Sequence, residues 1–186
     1  MAGIGTPVTL DDWFTRLEAM PVPEGYKAEI IEGTVQLTSR GDSQWAITAD
    51  LYEQLRTRYP RARLKSGARL DLPGPLNSYA PDLMLLAESA ERTAAGLWRC
   101  AEVEFAAEVL PLDTVDPAHG PKEAAYALAE VPVYLVVDPR QGRCHAYSKP
   151  KKDEYAVRLT VTFGADLNLT GTPVGLSLKT HDFPRD

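Results

Sequence analysis

Two acids and a lysine stand where this chain could carry out hydrolysis. Asp82 directly precedes the apolar run Leu83-Met84-Leu85-Leu86, Glu108 lies within the run from Phe105 to Leu110, and Lys122 heads a short helical pattern. Cleaving a phosphodiester in water needs an activated water and relief of the negative charge that builds on the phosphate. A divalent cation supplies both, and carboxylates are the hard oxygen donors that Mg²⁺ prefers. If the two apolar runs pair as neighbouring strands, Asp82 and Glu108 project to one end and share an ion, with a backbone carbonyl near Val109 as a further ligand. An ammonium at Lys122 would orient the attacking water or offset the developing charge. Glu32, in the turn of an early hairpin, could complete the cluster by holding a metal-bound water or a second ion. Each residue taken singly has a plainer reading, as a turn aspartate or as a solvated charge at a helix start.

The elements that must position these groups follow from pattern. Leu10, Trp13, Phe14 and Leu17 fall at helical spacing behind Thr9 as N-cap, and Pro21 stops that helix. Tyr26 to Ile31 and Val35 to Thr38 flank Glu32-Gly33-Thr34 as a hairpin. A second helix spans Gly41 to Tyr59, with Trp45, Thr48, Leu51, Tyr52, Leu55 and Tyr59 on one face. Arg61 to Leu72 reads as strand, bend and strand, and Leu72 to Asn77 as a loop. Leu83 to Ala87 and Val103 to Leu110 read as buried strands, with Glu88 to Gly96 as a helical turn or loop between them. After a loop from Leu112 to Gly120, Pro121 opens a short helix, Val133 to Val137 is the strongest strand, and Arg143 to Ser148 returns from it. Tyr155 to Phe163 and Leu176 to Leu178 add strands near a sheet edge. The order predicts an α/β or α+β fold with a mixed central β-sheet flanked by helices.

Composition bounds the rest. The 186 residues fit one domain, and 44% hydrophobic with 25% charged content is ordinary for a globular protein. No apolar run approaches the roughly 20 residues of a membrane span, and no basic segment leads an apolar one at the N-terminus, so a cytoplasmic location and no membrane association are expected. Cys100 and Cys144 alone make neither a disulfide framework nor a zinc pattern. A net charge of −6 argues against a broad nucleic-acid-coating surface, though not against one local basic stripe. Arg56, Arg58, Arg61, Arg63, Lys65 and Arg69 form such a run; they could meet phosphates, or they could be a basic helix end followed by a charge-protected edge strand. His119 reads as a loop histidine, and Tyr126 and Tyr134 as core. No phosphate-binding glycine loop, nucleophile elbow or zinc-ligand spacing occurs.

Ile30-Ile31-Glu32-Gly33, Ala80-Pro81-Asp82-Leu83, Glu108-Val109-Leu110, Lys122 with Tyr126, and Val131 to Asp138 occur in an order that resembles the Uma-type putative restriction endonuclease family, within the PD-(D/E)XK nuclease superfamily. The similarity spans roughly Tyr26 to Tyr147, a core of about 26–147 within a single domain of 1–186. The resemblance implies a restriction-endonuclease-like fold and Mg²⁺- or Mn²⁺-dependent hydrolysis of DNA. It assigns Asp82 and Glu108 to the metal and the catalytic lysine role to Lys122, with Glu32 in support. The superfamily usually has its lysine two places after the strand acid; that place is Leu110 here, so the role moves to the next helix. Three positions depart from the family pattern: Pro111-Leu112-Asp113 replaces Ser-Pro-Ser, Ala118 replaces an Asp, and Ser43 lies near an expected histidine. A homodimer is expected, because two cuts on a duplex suit a two-fold assembly. The rival readings are a non-catalytic nucleic-acid-binding or regulatory protein that keeps the fold, and a metal-dependent hydrolase of another substrate.

Overall fold

The computed structural model describes residues 8–19, 22–112 and 119–185. Pro21 and positions 113–118 of the loop before Lys122 lie outside them.

Helix α1 (Leu10–Glu18) starts on a capping box: Asp12 N–H donates to Thr9 Oγ1 at 3.2 Å, and Thr9 N–H donates to Asp12 Oδ2 at 2.8 Å. Strands β1 (Tyr26–Ile31) and β2 (Thr34–Ser39) form the expected hairpin with Ile31 opposite Thr34. The two turn residues, Glu32 and Gly33, both have positive φ, 48° and 76°, the backbone that suits a two-residue hairpin turn.

Helix α2 (Asp42–Arg56) buries Gln44, Ile47, Thr48, Leu51 and Leu55, while Trp45 is 69% exposed. Thr48, Leu51, Leu55 and Tyr59 of the expected face are buried, and Gln44 and Ile47 join them in place of Trp45. The bulkiest side chain is left outside. A 3-10 turn (Arg61–Arg63) then enters β3 (Leu64–Lys65), followed by β4 (Leu70–Leu72), β5 (Asn77–Tyr79), β6 (Leu83–Leu86), β7 (Trp98–Arg99) and β8 (Val103–Val109). Helix α3 (His119–Leu128) begins two residues before Pro121. Strands β9 (Val133–Asp138), β10 (Arg143–Lys151), β11 (Glu154–Thr162), β12 (Leu167–Asn168) and β13 (Ser177–Leu178) complete the chain. Strand β10 runs past Ser148 because its ladder with β11 continues to Lys151; its pairing with β9 ends at Ser148, so Pro150, which has no N–H, removes no ladder bond on that side.

Six strands form the mixed central sheet, in the order β11-β10-β9-β8-β6-β3, and a second sheet has the order β2-β1-β5-β4-β7. Strands β8 and β9 are parallel, joined by the crossover that contains α3. Alternation sorts the central sheet's side chains into two layers. Leu83, Leu85, Phe105, Ala107 and Val109 share an apolar cluster with α2 residues Ile47, Leu51 and Leu55. Met84, Leu86, Ala106, Tyr134 and Val136 share the other with Tyr79 of the second sheet and Ala125 and Tyr126 of α3. β3 and β4, expected as neighbours across a bend, belong to different sheets, and the bend at Gly67 (φ 60°) is where the chain passes between them.

Candidate active site

Asp82 and Glu108 meet because of register. Leu83 pairs with Ala107 and Met84 with Ala106 in the antiparallel β6–β8 ladder, so the same register sets Asp82 opposite Glu108. Glu108 falls on the α3 side by alternation, Asp82 sits just before β6 within reach of Gln44 of α2, and both are buried, at 4% and 7% exposure. Three groups hold the Asp82 carboxylate through four hydrogen bonds. Val109 N–H donates to Oδ2 at 2.8 Å, Gln44 Nε2 to both oxygens at 3.1 Å, and Lys27 Nζ to Oδ1 at 3.2 Å. The Val109 carbonyl accepts from the same Gln44 Nε2 at 3.1 Å.

Glu108 is held from two sides. Lys27 Nζ donates to Oε2 at 2.9 Å, while Lys122 Nζ and Tyr126 Oη donate to Oε1 at 3.0 and 3.2 Å. Lys122 and Tyr126 are four residues apart on α3, one above the other on one face, so a single helix delivers both groups. Lys122 Nζ also donates to Glu29 Oε2 at 2.8 Å and lies 5.3 Å from the centre of the Tyr79 ring. Glu29 in turn accepts the Ala80 N–H at 2.9 Å, which ties β1 to the segment that carries Asp82.

The structure thus brings together Asp82, Glu108, Lys122 and the Val109 carbonyl. It does not bring Glu32 to them. Glu32 occupies the exposed hairpin turn, where its N–H donates to Asn77 Oδ1 at 2.8 Å, and Glu29 is the β1 acid in the cluster. The reason is alternation: Lys27, Glu29 and Ile31 point one way from β1, and Glu32 comes after the strand has ended. Sequence reasoning missed Lys27, Glu29 and Gln44. The available signals were the spacing of two between Lys27 and Glu29, and the departure at Ser43, next to Gln44.

Three buried carboxylates, the buried Lys27 ammonium and the half-buried Lys122 ammonium leave the cluster with a net charge of −1. Burial favours the neutral form of Lys27, but the carboxylates of Glu108, Glu29 and Asp82 outweigh it and hold the ammonium's pKa far above its ordinary value. Burial likewise pushes Glu108 up, and Lys122 and Lys27 together override it, bringing the carboxyl down to about 2. Burial and then the Glu108 charge raise the phenols of Tyr126 and Tyr134, so both remain protonated at neutral pH. Tyr126 spends its proton on Glu108; the buried Tyr134 hydroxyl has no hydrogen-bond partner among the described residues, its ring stacked 4.5 Å from that of Tyr126.

The donor set suits a hard divalent ion. Asp82, Glu108, Glu29 and the Val109 carbonyl are all oxygen ligands, and Gln44 Oε1 is a further buried oxygen with no partner among the described residues. Lys27 Nζ and Gln44 Nε2, however, already lie on the Asp82 oxygens, on Glu108 Oε2 and on the Val109 carbonyl. Among the described residues no group of three or more His, Cys, Asp or Glu side chains is arranged to hold an ion.

Access to the cluster is through α2. A small pocket of about 130 Å³ reaches Asp82 past Arg40, Gln44 and Ser66. It shares Trp45, Thr48 and Ser66 with a cleft of about 880 Å³ lined also by Tyr52, Arg61 and Lys65. The basic run is largely engaged elsewhere. Arg63 pairs with Glu104 at 2.7 Å, and Arg69 pairs with Asp71 and Asp11. Arg58 donates to the Gly175 carbonyl and Lys65 to that of Ala62. With β3 at the end of the central sheet, this run is chiefly an edge held in place by its own contacts. Arg61 and Lys65 are its members that line the cleft.

Comparison with known proteins gives a family and a fold. The model of the Uma2 family, described as "Putative restriction endonuclease", matches residues 14–181. The chain belongs to this family. A solved structure described as a putative nuclease belonging to DUF820, from Anabaena variabilis ATCC 29413, superimposes with a TM-score of 0.71 at 18% sequence identity, covering 95% of this chain and 97% of that one. At that identity the likeness establishes the fold, the mixed α+β architecture of a nuclease-like protein. No curated protein matches the sequence. Among the described residues, no helix of this Uma2 family member is long and apolar enough to cross a membrane.

Proposed function

We propose that this chain is a Mg²⁺- or Mn²⁺-dependent endonuclease that hydrolyses DNA phosphodiester bonds and works as a homodimer. The observation that carries the reading is the convergence of Asp82, Glu108 and Lys122, delivered by a strand entrance, a strand and a crossover helix, beside the Val109 carbonyl. Membership in a family described as restriction endonucleases supports nucleic acid as the substrate.

Asp82, Glu108 and the Val109 carbonyl would hold the ion, and Gln44 Oε1 is a spare donor beside them. Bound there, the ion would supply an acidified water and withdraw charge from the phosphate. The chain's own groups do the rest. Lys122, fixed between Glu29 and Glu108, presents a permanent positive charge to a developing oxyanion or to the incoming water. Tyr126 fixes the Glu108 Oε1 lone pair that Lys122 shares. Arg61 and Lys65 line the approach along the large cleft and offer charge to the strand's phosphates.

Titration of the purified protein with Mn²⁺ tests the assignment of the acids. Binding is expected in the wild type and loss of it in Asp82→Asn and in Glu108→Gln; unchanged binding in both variants would remove these residues from the site. The second reading, a nucleic-acid-binding or regulatory protein without hydrolysis, is favoured by Lys27 and Gln44 already lying on the ligand oxygens. It predicts DNA binding with no cleavage in Mg²⁺ or Mn²⁺.

A further inference from the structure

A single ammonium joins the two acids at the centre of the site. Lys27 Nζ lies 3.2 Å from Asp82 Oδ1 and 2.9 Å from Glu108 Oε2. The other oxygens of these carboxylates are held from elsewhere. Glu108 Oε1 accepts from Lys122 and Tyr126, and Asp82 Oδ2 accepts from the Val109 N–H and the Gln44 amide. A cation shared by Asp82 and Glu108 meets Lys27 on Oδ1 and Oε2, with the Gln44 amide also 3.1 Å from Oδ1. Lys27 is 5% exposed and reaches the cluster from β1, where the hairpin ladder fixes its backbone. It also has somewhere to go. The Ala80 carbonyl at 3.3 Å and Glu29 Oε2 at 3.7 Å already border Nζ, and neither belongs to the Asp82–Glu108 pair.

We infer that Lys27 is a resident cation of the site, exchanged for the divalent ion when metal binds and withdrawn onto Glu29 and the Ala80 carbonyl. The inference rests on the metal-dependent reading above and adds a role that reading does not contain. With Lys27 in place, the cluster stays close to neutral, so three buried carboxylates coexist without a metal ion. The same charge opposes the incoming ion. Lys27 thus makes metal affinity weaker than the ligands alone would give and is a positioning residue, not one that touches the reacting phosphate.

The test is calorimetric titration of Mn²⁺ into the full chain and two variants, Lys27→Met and Lys27→Arg, with circular dichroism confirming that each is folded. Removing one positive charge a few ångströms from a dication is expected to tighten binding by at least about tenfold in Lys27→Met, whereas Lys27→Arg, which keeps the charge, gains no such affinity. Equal or weaker binding by Lys27→Met overturns the exchange and leaves the metal reading standing. Absence of binding in all three proteins overturns both. Nuclear magnetic resonance of the wild type with isotopically labelled lysine gives a reading that depends on no variant. Saturation with Mg²⁺ is expected to shift the Lys27 Nζ resonance, and a resonance that stays in place as Mg²⁺ binds also overturns the exchange.

Discussion

On the α2 face of the central sheet, Phe105, Ala107 and Val109 pack into one apolar cluster with Ile47, Leu51 and Leu55. On the opposite face Glu108, from the same strand, meets Lys27, Lys122 and Tyr126. One β-strand therefore supplies a packed wall on one side and a charged centre on the other, by alternation alone. On the apolar side the buried Tyr59 hydroxyl finds its partners in the Pro173 and Val174 carbonyls, and the rest of that cluster is held by apolar packing. The costs that burial imposes gather around the charged centre, where, among the described residues, Gln44 Oε1 from α2 and the Tyr134 hydroxyl have no hydrogen-bond partner. Rigidity comes from the first face, and the chemistry of the second depends on it.

This division can be broken from either side. The largest stability effect is expected on the apolar face: Leu51→Ala, at a position 1% exposed, should cost about 2–5 kcal/mol by denaturant unfolding, while Mn²⁺ affinity of the folded fraction is unchanged. A fall in intrinsic metal affinity would show that the two faces are not independent. On the charged face, Lys122→Met should lower cleavage on the order of 10²–10³-fold, the scale seen when one preorganised electrostatic donor is lost. Metal binding should persist, because Lys122 is not among the proposed ligands, and near-wild-type cleavage would deny the lysine its role.

The smallest effect is a pH dependence. The folded pKa of Glu108, about 2, lies below its ordinary value of 4.5. In the unfolded chain the group is protonated below about 4.5, so the folded state binds fewer protons between these values. Its contribution to stability is fully present above pH 4.5 and is lost as pH falls toward 2. Glu108→Gln should lack that component, so the variant's unfolding free energy should be flatter across this window than the wild type's. Parallel curves would mean that Lys122 and Lys27 do not stabilise the carboxylate.

Much of this arrangement was legible in the residues. Asp82, Glu108 and Lys122 sit at the margins of strongly patterned elements, and an unbroken apolar run such as Leu83 to Leu86 needs no tertiary information to be read as a buried strand. The hairpin and the two longer helices followed from turn chemistry and periodicity, whereas the parallel β8–β9 pairing across α3 did not. Lys27, Glu29 and Gln44 were not legible, because what brings them to the cluster is which way they face. In β1 both Ile30 and Ile31 are buried, so the apolar pattern does not say which face carries Lys27 and Glu29, and Glu32 stood out instead. In α2 the large Trp45 drew the apolar face toward itself, whereas Ile47 and Leu51 set it and turn Gln44 inward. Short strands such as β5 and β7 depend on partners distant in sequence and carry little pattern of their own.

The central claim is that Asp82 and Glu108 form a metal-dependent phosphodiesterase centre. It is tested most directly by incubating supercoiled plasmid with the wild type and with Asp82→Asn, each in Mg²⁺ and in chelator. The account predicts nicking by the wild type in Mg²⁺ only and none by the folded variant. Nicking that survives chelation, or that Asp82→Asn performs at the wild-type rate, would contradict it.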